Sequence, residues 1–218
     1  MKAIKAIVVG VCLIGTGMIH AQTEVDVRDR RDLRDQMTFG LKAGANYSNV
    51  YDERRQNFQA NGKPGFAGGA FLSIPFGTYL GVQPEIVISQ KGYQGSGSFL
   101  TTPYTYSSTT TFIDLPLLAA FKPSPHITLL AGPQYSFLVS ERNYFYSDFY
   151  THDEFREYEI DNIRANTLGF QVGADFNIEH IVISPRAGWD FQTNHGDGTS
   201  STPRYKNQWL QLTLGYRF

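Results

Sequence analysis

Eight residues of this 218-residue chain could do polar chemistry in concert, and all recur at alternate positions of otherwise apolar stretches. They are Lys42, Glu85, Lys91, Asp114, Gln171, Asp175, Arg186 and Arg217. A period of two places each on the face opposite its apolar neighbours. Four bases and three acids on one enclosed face form a self-neutralising set, because buried charges must pair. Two outcomes follow: a salt-bridged plug, or a narrow pore or small-ligand site. A second group has different chemistry. Glu141 to Arg164 carries seven acids, three arginines and seven aromatics: Tyr144, Phe145, Tyr146, Phe149, Tyr150, Phe155 and Tyr158. Clustered Tyr and Phe outside a core mark a binding surface, or the cross-strand pairs of a twisted ribbon.

Catalytic groupings are weak by comparison. His126 and His180 fall in short turns. His152 lies near Asp153 and Glu154, and His195 near Asp197, in long connections. None has a nucleophile at a supporting spacing, so no enzyme is expected, and no catalytic, cofactor-binding or metal-binding residue is assigned. Gly95 with Gly97, and Gly65 with Gly68 and Gly69, do not precede a helix and lack phosphate-binding context.

The elements that position these residues are strands. Phe39, Leu41, Ala43, Ala45 and Tyr47 alternate with small or polar residues. The pattern repeats from about residue 65 to 75, 79 to 93, 111 to 121, 127 to 140, 167 to 177 and 181 to 192. It ends in Leu210, Leu212, Leu214, Tyr216 and Phe218. Eight strands of about 10–12 residues suit a tilted bilayer crossing. The connections alternate long and short, with Gln94–Thr110 and Glu141–Asn166 among the long ones. An eight-stranded antiparallel up-and-down transmembrane β-barrel, all-β, has this order, with short periplasmic turns and long external loops. Pro84 in mid-strand requires a bulge or a gap in pairing. The aromatics fall into two girdles. Phe39, Phe76, Tyr79, Phe121, Phe176, Tyr216 and Phe218 form the periplasmic one. Tyr47, Phe66, Tyr93, Phe112, Phe137, Trp189 and Trp209 form the outer one, although Phe112 and Trp209 have lumen parity.

Composition agrees. Lys2 and Lys5 precede an apolar run from Ala6 to about Ile19, and Ile19-His20-Ala21 resembles a cleavage site. This reads as a signal peptide over residues 1–21, too short for a spanning helix. Val11 before Cys12 argues against lipidation. Cleavage removes the only cysteine and takes the formal charge from -1 to -3, so no disulfide is expected and nucleic acid is an unsuited partner. Residues 22–36, with five acids and four arginines, read as a charged periplasmic tail, and 37–218 as the barrel. A soluble lipid-binding barrel would need the opposite parity, apolar residues inside.

Several segments together resemble the PorT-like outer-membrane β-barrel family of Bacteroidota. They are Phe39-Gly40-Leu41-Lys42-Ala43-Gly44-Ala45-Asn46-Tyr47-Ser48, Gln83-Pro84-Glu85-Ile86, Ser89-Gln90-Lys91-Gly92, Asp114-Leu115-Pro116-Leu117-Leu118, Ala131-Gly132-Pro133-Gln134 and Leu214-Gly215-Tyr216-Arg217-Phe218. The resemblance spans about Met37 to Phe218. It implies contact with outer-membrane lipid and insertion by the outer-membrane assembly machinery, with Tyr216 and Phe218 as the signal that machinery reads. It implies no activity and no cofactor. The name-giving member is tied to type IX secretion and gliding. The expected role is a structural or interaction barrel of the cell envelope, a membrane anchor whose external loops or tail bind an envelope protein partner or an envelope glycan. A narrow solute pore is the alternative, and a lipid-modifying enzyme is less favoured.

Overall fold

A computed structural model describes residues 32–51, 61–99, 102–147, 150–156, 166–193 and 205–218. The signal-peptide reading and most of the charged tail lie outside the described residues. So do Phe149, Tyr158 and His195.

The chain forms a closed antiparallel barrel. The strands are β1 (Thr38–Tyr51), β2 (Asn61–Pro75), β3 (Leu80–Phe99), β4 (Thr102–Ser124), β5 (Ile127–Ser147), β6 (Tyr150–Arg156), β7 (Asn166–Ile178), β8 (Ile181–Asp190) and β9 (Lys206–Arg217). Eight of them enclose the lumen in sequence order, with β1 paired to β9 and β4 to β5. The terminal strand closes the ring: Tyr216 lies opposite Leu41, and Phe218 N–H donates to Phe39 O at 2.8 Å. β6 is an addition that pairs only with β5 among the described residues, Ser147 opposite Tyr150 and Glu141 opposite Arg156.

The alternation has the sense of a membrane barrel. Leu41, Ile88, Leu117, Leu129, Leu210, Leu212 and Leu214 are exposed on the wall, and the lumen is mostly polar. This is the reverse of the parity a soluble lipid-carrying barrel requires. Buried apolar residues form two patches, Leu118 with Ala120 and Leu130, and Val50 with Tyr93 and Tyr205, and Phe71, Val87, Phe112, Val182 and Trp209 are buried besides.

Two differences from the sequence reading concern strand length and parity. The Ser/Thr/Gly-rich segment 94–110 is not a loop: β3 and β4 run on as a hairpin, Tyr93 opposite Ser108 and Phe99 opposite Thr102. Thr and Tyr favour a pleated strand once a neighbour supplies the ladder. That neighbour is β5, which continues to Ser147 beside β4. A four-stranded sheet, β3 to β6, therefore extends beyond the end of the eight-stranded ring. The second difference concerns Tyr93, Phe112 and Trp209. All three are buried in the lumen rather than in the girdle, as their parity requires.

Pro84 has Leu117 opposite it. Cross-strand pairing then lapses until Val87 meets Asp114, and β2–β3 pairing lapses between Phe71/Glu85 and Ile74/Val82. The missing donor falls in this gap. The periplasmic turns are tight. Gly77 takes φ 109° in the β2–β3 turn, a conformation open to glycine. Glu179 takes φ 53° in the β7–β8 turn and is held there by Arg217, whose Nη2 donates to Glu179 O at 2.8 Å.

Candidate functional site: the polar lumen and the external sheet

Strand parity turns seven of the eight polar residues inward. Lys42, Glu85, Lys91, Asp114, Gln171, Asp175 and Arg186 are all buried. They form two separate groups rather than one.

The periplasmic half holds Lys42, Glu85, Asp175 and Arg186. Lys42 Nζ donates to Glu85 Oε2. Arg186 Nη2 donates to Asp175 Oδ1 at 2.6 Å and lies 3.5 Å from Glu85 Oε1. Gln83 joins the two carboxylates, its Nε2 donating to Glu85 Oε1 at 2.9 Å and to Asp175 Oδ2 at 3.1 Å. Ser184 Oγ adds a bond to Asp175 Oδ1 at 2.6 Å, and Arg186 Nη1 donates to Ala174 O at 2.7 Å. Two cations and two anions are thus neutralised, with the carboxylate oxygens accepting further donors, while Arg186 Nε is left without a hydrogen-bond partner. This is the geometry that makes a buried ion network tolerable.

The outer half is built on Lys91. Its Nζ donates to Asp114 Oδ1 at 3.2 Å, and Ser89 Oγ donates to Asp114 Oδ2 at 2.5 Å. The ammonium also sits 3.9 Å from the centre of the Trp209 ring and 4.8 Å from that of Phe112. Aromatic faces stabilise a desolvated cation by about 2 kcal/mol each. Gly188 makes room for Trp209: a Cβ at that position would stand 2.3 Å from the indole ring. Asp190, also buried, accepts from Asn207 Nδ2 at 2.7 Å through Oδ2, while its Oδ1 has no hydrogen-bond partner. Above this group Tyr93 and Tyr205 pack edge to face at 5.0 Å beside Val50.

Gln171 is buried between the groups, and its Oε1 bonds to neither. Arg217 stands apart at the periplasmic mouth, half-buried, bonded to Asn177 Oδ1 at 3.4 Å and to the β7–β8 turn. The same mouth is crossed by residues 32–36. Lys122 Nζ donates to Arg34 O at 3.0 Å, and the Arg34 guanidinium lies 5.4 Å from the Tyr79 ring centre. Arg34 also binds Asp32 bidentately, with Nη2 to Oδ2 at 2.7 Å, and holds that carboxyl below its ordinary range. Behind this turn a cavity of about 20 Å³ has room for about one water.

The external aromatics lie on the sheet above the barrel. Tyr144, Phe145 and Tyr146 are on β5, and Tyr150 and Phe155 on β6. The ladder sets Phe145 opposite His152 and Arg142 opposite Phe155. Tyr144 is exposed.

Sequence reasoning singled out the lumen charges but missed Gln83 and Ser184 as connectors, the aromatic walls around Lys91, and Asp190. Lumen parity was a usable signal for all of them. Only the closed ring shows that β3 and β7, which supply Gln83 and Asp175, meet.

A family model described as outer membrane protein beta-barrel domain matches residues 21–193. No curated protein matches. Among solved structures, Ail, the attachment invasion locus protein of Yersinia pestis, is similar at 14% identity. The match covers 83% of this chain and 98% of that one, with a TM-score of 0.48. Neisserial surface protein A is similar at 11% identity, over 83% and 97% of the chains, with a TM-score of 0.46. The outer membrane protein OprG from Pseudomonas aeruginosa is similar at 12% identity, over 87% and 99%, with a TM-score of 0.45. Each is a likeness of strand arrangement alone.

Proposed function

Because this chain belongs to the family of outer membrane protein beta-barrel domains, we propose that it is a non-enzymatic interaction barrel of the cell envelope. Its lumen is a plug, and its external sheet is the working surface. The observation that carries the reading is the division of the polar residues. The inner charges satisfy one another across the lumen, with Lys42 on Glu85 and Arg186 on Asp175 and Glu85. An eight-stranded interior is only wide enough for side chains to fill, and little is left to line a path for solute. The aromatic and acidic β5–β6 hairpin stands outside the bilayer, where a partner can reach it.

The partner in this reading is another envelope protein. Membership of the narrower PorT-like group, and with it a link to secretion or gliding, belongs to the proposal. So do the cleaved signal peptide and recognition of Tyr216 and Phe218 by the assembly machinery.

Two measurements test it. Planar-bilayer recording of the purified barrel is expected to show no conductance above background, and a steady open channel would overturn the plug. Deleting residues 143–160 is expected to leave insertion intact and remove specific partners from detergent-solubilised pull-downs. An unchanged partner set would overturn the assignment to this hairpin.

A further inference from the structure

Asn49 and Gln208 lie opposite each other on the β1–β9 ladder. Their parity is that of Tyr47, Leu210, Leu212 and Leu214, which face outward. Two carboxamides therefore stand on the wall that elsewhere meets acyl chains. They sit one step above Tyr47 and Leu210, at the outer aromatic girdle, where the lipid headgroups begin.

Between them and β8 runs a groove of about 620 Å³, within the range of small-molecule sites. Tyr47, Asn49, Trp189, Gln208 and Leu210 line it. Tyr51 crosses its upper end, its hydroxyl donating to Asp190 O at 3.3 Å. The rings of Tyr47 and Trp189 part because each leans on an outer neighbour. Tyr47 lies over Gly62 of β2, so close that a Cβ there would be 2.4 Å from the ring. Trp189 packs on Phe170 of β7, with ring centres 5.7 Å apart. The two aromatics thus rise from strands two ladder spacings apart, about 10 Å, with Gln208 and Leu210 of β9 between them.

A carboxamide beside aromatic faces suits sugars: the Gln208 amide can exchange hydrogen bonds with hydroxyls, and the rings cover the apolar face of a pyranose, while Asn49 Oδ1 is engaged by Val50 N–H at 2.8 Å. Among the described residues the lining is uncharged, which suits a neutral sugar. Leu210 and Ala187, just below, suit the start of an acyl chain.

We propose that this groove binds the sugar headgroup of an outer-leaflet glycolipid. The inference rests on the outer-membrane reading, which puts this end of β1, β8 and β9 in the outer leaflet.

The test uses the full chain in nanodiscs of phospholipid with rough-type lipopolysaccharide, followed by native mass spectrometry of lipids retained after detergent extraction. The wild type is compared with Asn49→Leu/Gln208→Leu and with Trp189→Leu. The second variant stands in if the first does not insert, as judged by heat-modifiable gel migration. Selective retention of the glycolipid by the wild type, falling about tenfold in either variant with phospholipid retention unchanged, is expected. Equal glycolipid retention in wild type and variants would overturn the groove, as would a groove that keeps phospholipid equally well. Displacement by excess lipid-free core oligosaccharide is expected of a site that holds the sugar, and retention that the oligosaccharide does not reduce would assign the binding to the acyl chains and overturn the headgroup proposal. A wild type that failed to enter bilayers at all would instead strike the outer-membrane reading. Insertion without selective retention strikes the groove alone.

Discussion

The two halves of the lumen solve the same problem in different ways. In the periplasmic half, two cations and two carboxylates are knitted together, and Gln83 and Ser184 fill remaining acceptor sites. In the outer half one cation, Lys91, serves Asp114 directly and rests on the faces of Trp209 and Phe112. Asp190 nearby leans on an amide, Asn207. The inner half is stabilised by balanced charge and the outer half by a single ammonium in an aromatic cage. Loss of one member should therefore propagate through the inner group, while damage in the outer group should centre on Lys91.

The sharpest way to break this contrast is Arg186→Met. It leaves Asp175 and Glu85 buried without their shared cation, and a stability loss of about 3–5 kcal/mol is expected, the range for a buried pair broken on one side. Urea unfolding of the barrel in micelles measures it. The double variant Arg186→Met/Asp175→Leu should recover part of that loss, because it removes both charges together. If Arg186→Met alone is neutral, the inner group is not an interdependent network.

Lys91→Met comes next. It keeps the length of the side chain and its packing on Trp209 and Phe112 but discards the charge. A loss of about 2–4 kcal/mol follows from the forfeited cation–π contacts and from leaving Asp114 with Ser89 alone. Trp209→Leu should reproduce part of this deficit in wild type and little of it in the Lys91→Met background. Additive losses would show that the ring and the ammonium act independently. Asp190→Asn should be much milder, within about 1 kcal/mol. The neutral amide can still accept from Asn207, and burial no longer opposes a charge.

How far the sequence anticipates these groups depends on whether the information is local. Alternation is local, so the inward parity of Lys42, Glu85, Asp114 and Arg186 and the closure by Phe218 could be read directly. The same parity consigned Phe112, Trp209 and Tyr93 to the interior, against their aromatic pull toward the girdle. Partnership is not local. Gln83 and Asp175 lie 92 residues apart and meet only across the closed ring. Segment 94–110 looked like a loop because Ser, Thr and Gly are turn residues by composition, and it became strand because β5 continues beside it. The outward carboxamides Asn49 and Gln208 were legible by parity, yet their significance depends on facing each other across β1 and β9.

The smallest expected effect lies outside both halves, where residues 32–36 cross the periplasmic mouth. Arg34 donates to both oxygens of Asp32, at 2.9 Å from Nε and 2.7 Å from Nη2, and so lowers the carboxyl from its ordinary 3.8. A group whose folded pKa lies below its unfolded value adds stability above the unfolded value. It loses that stability as pH falls through the folded one. The turn should therefore stay docked from neutral pH down to about pH 4 and loosen only below it. The pair is partly exposed, so the effect is weak. It is local as well, because Lys122 holds the turn through the Arg34 carbonyl, which does not titrate. Hydrogen exchange at Gln36, whose N–H donates to Leu33 O at 3.2 Å, reports the docking. Its protection, measured against the intrinsic exchange rate at each pH, should be lower at pH 3 than at pH 6 in the wild type, and Asp32→Asn should show the lower protection at both. A turn that loosens equally with and without Asp32 would shift the anchor to Lys122 and make the mouth, like the outer lumen, depend on one lysine.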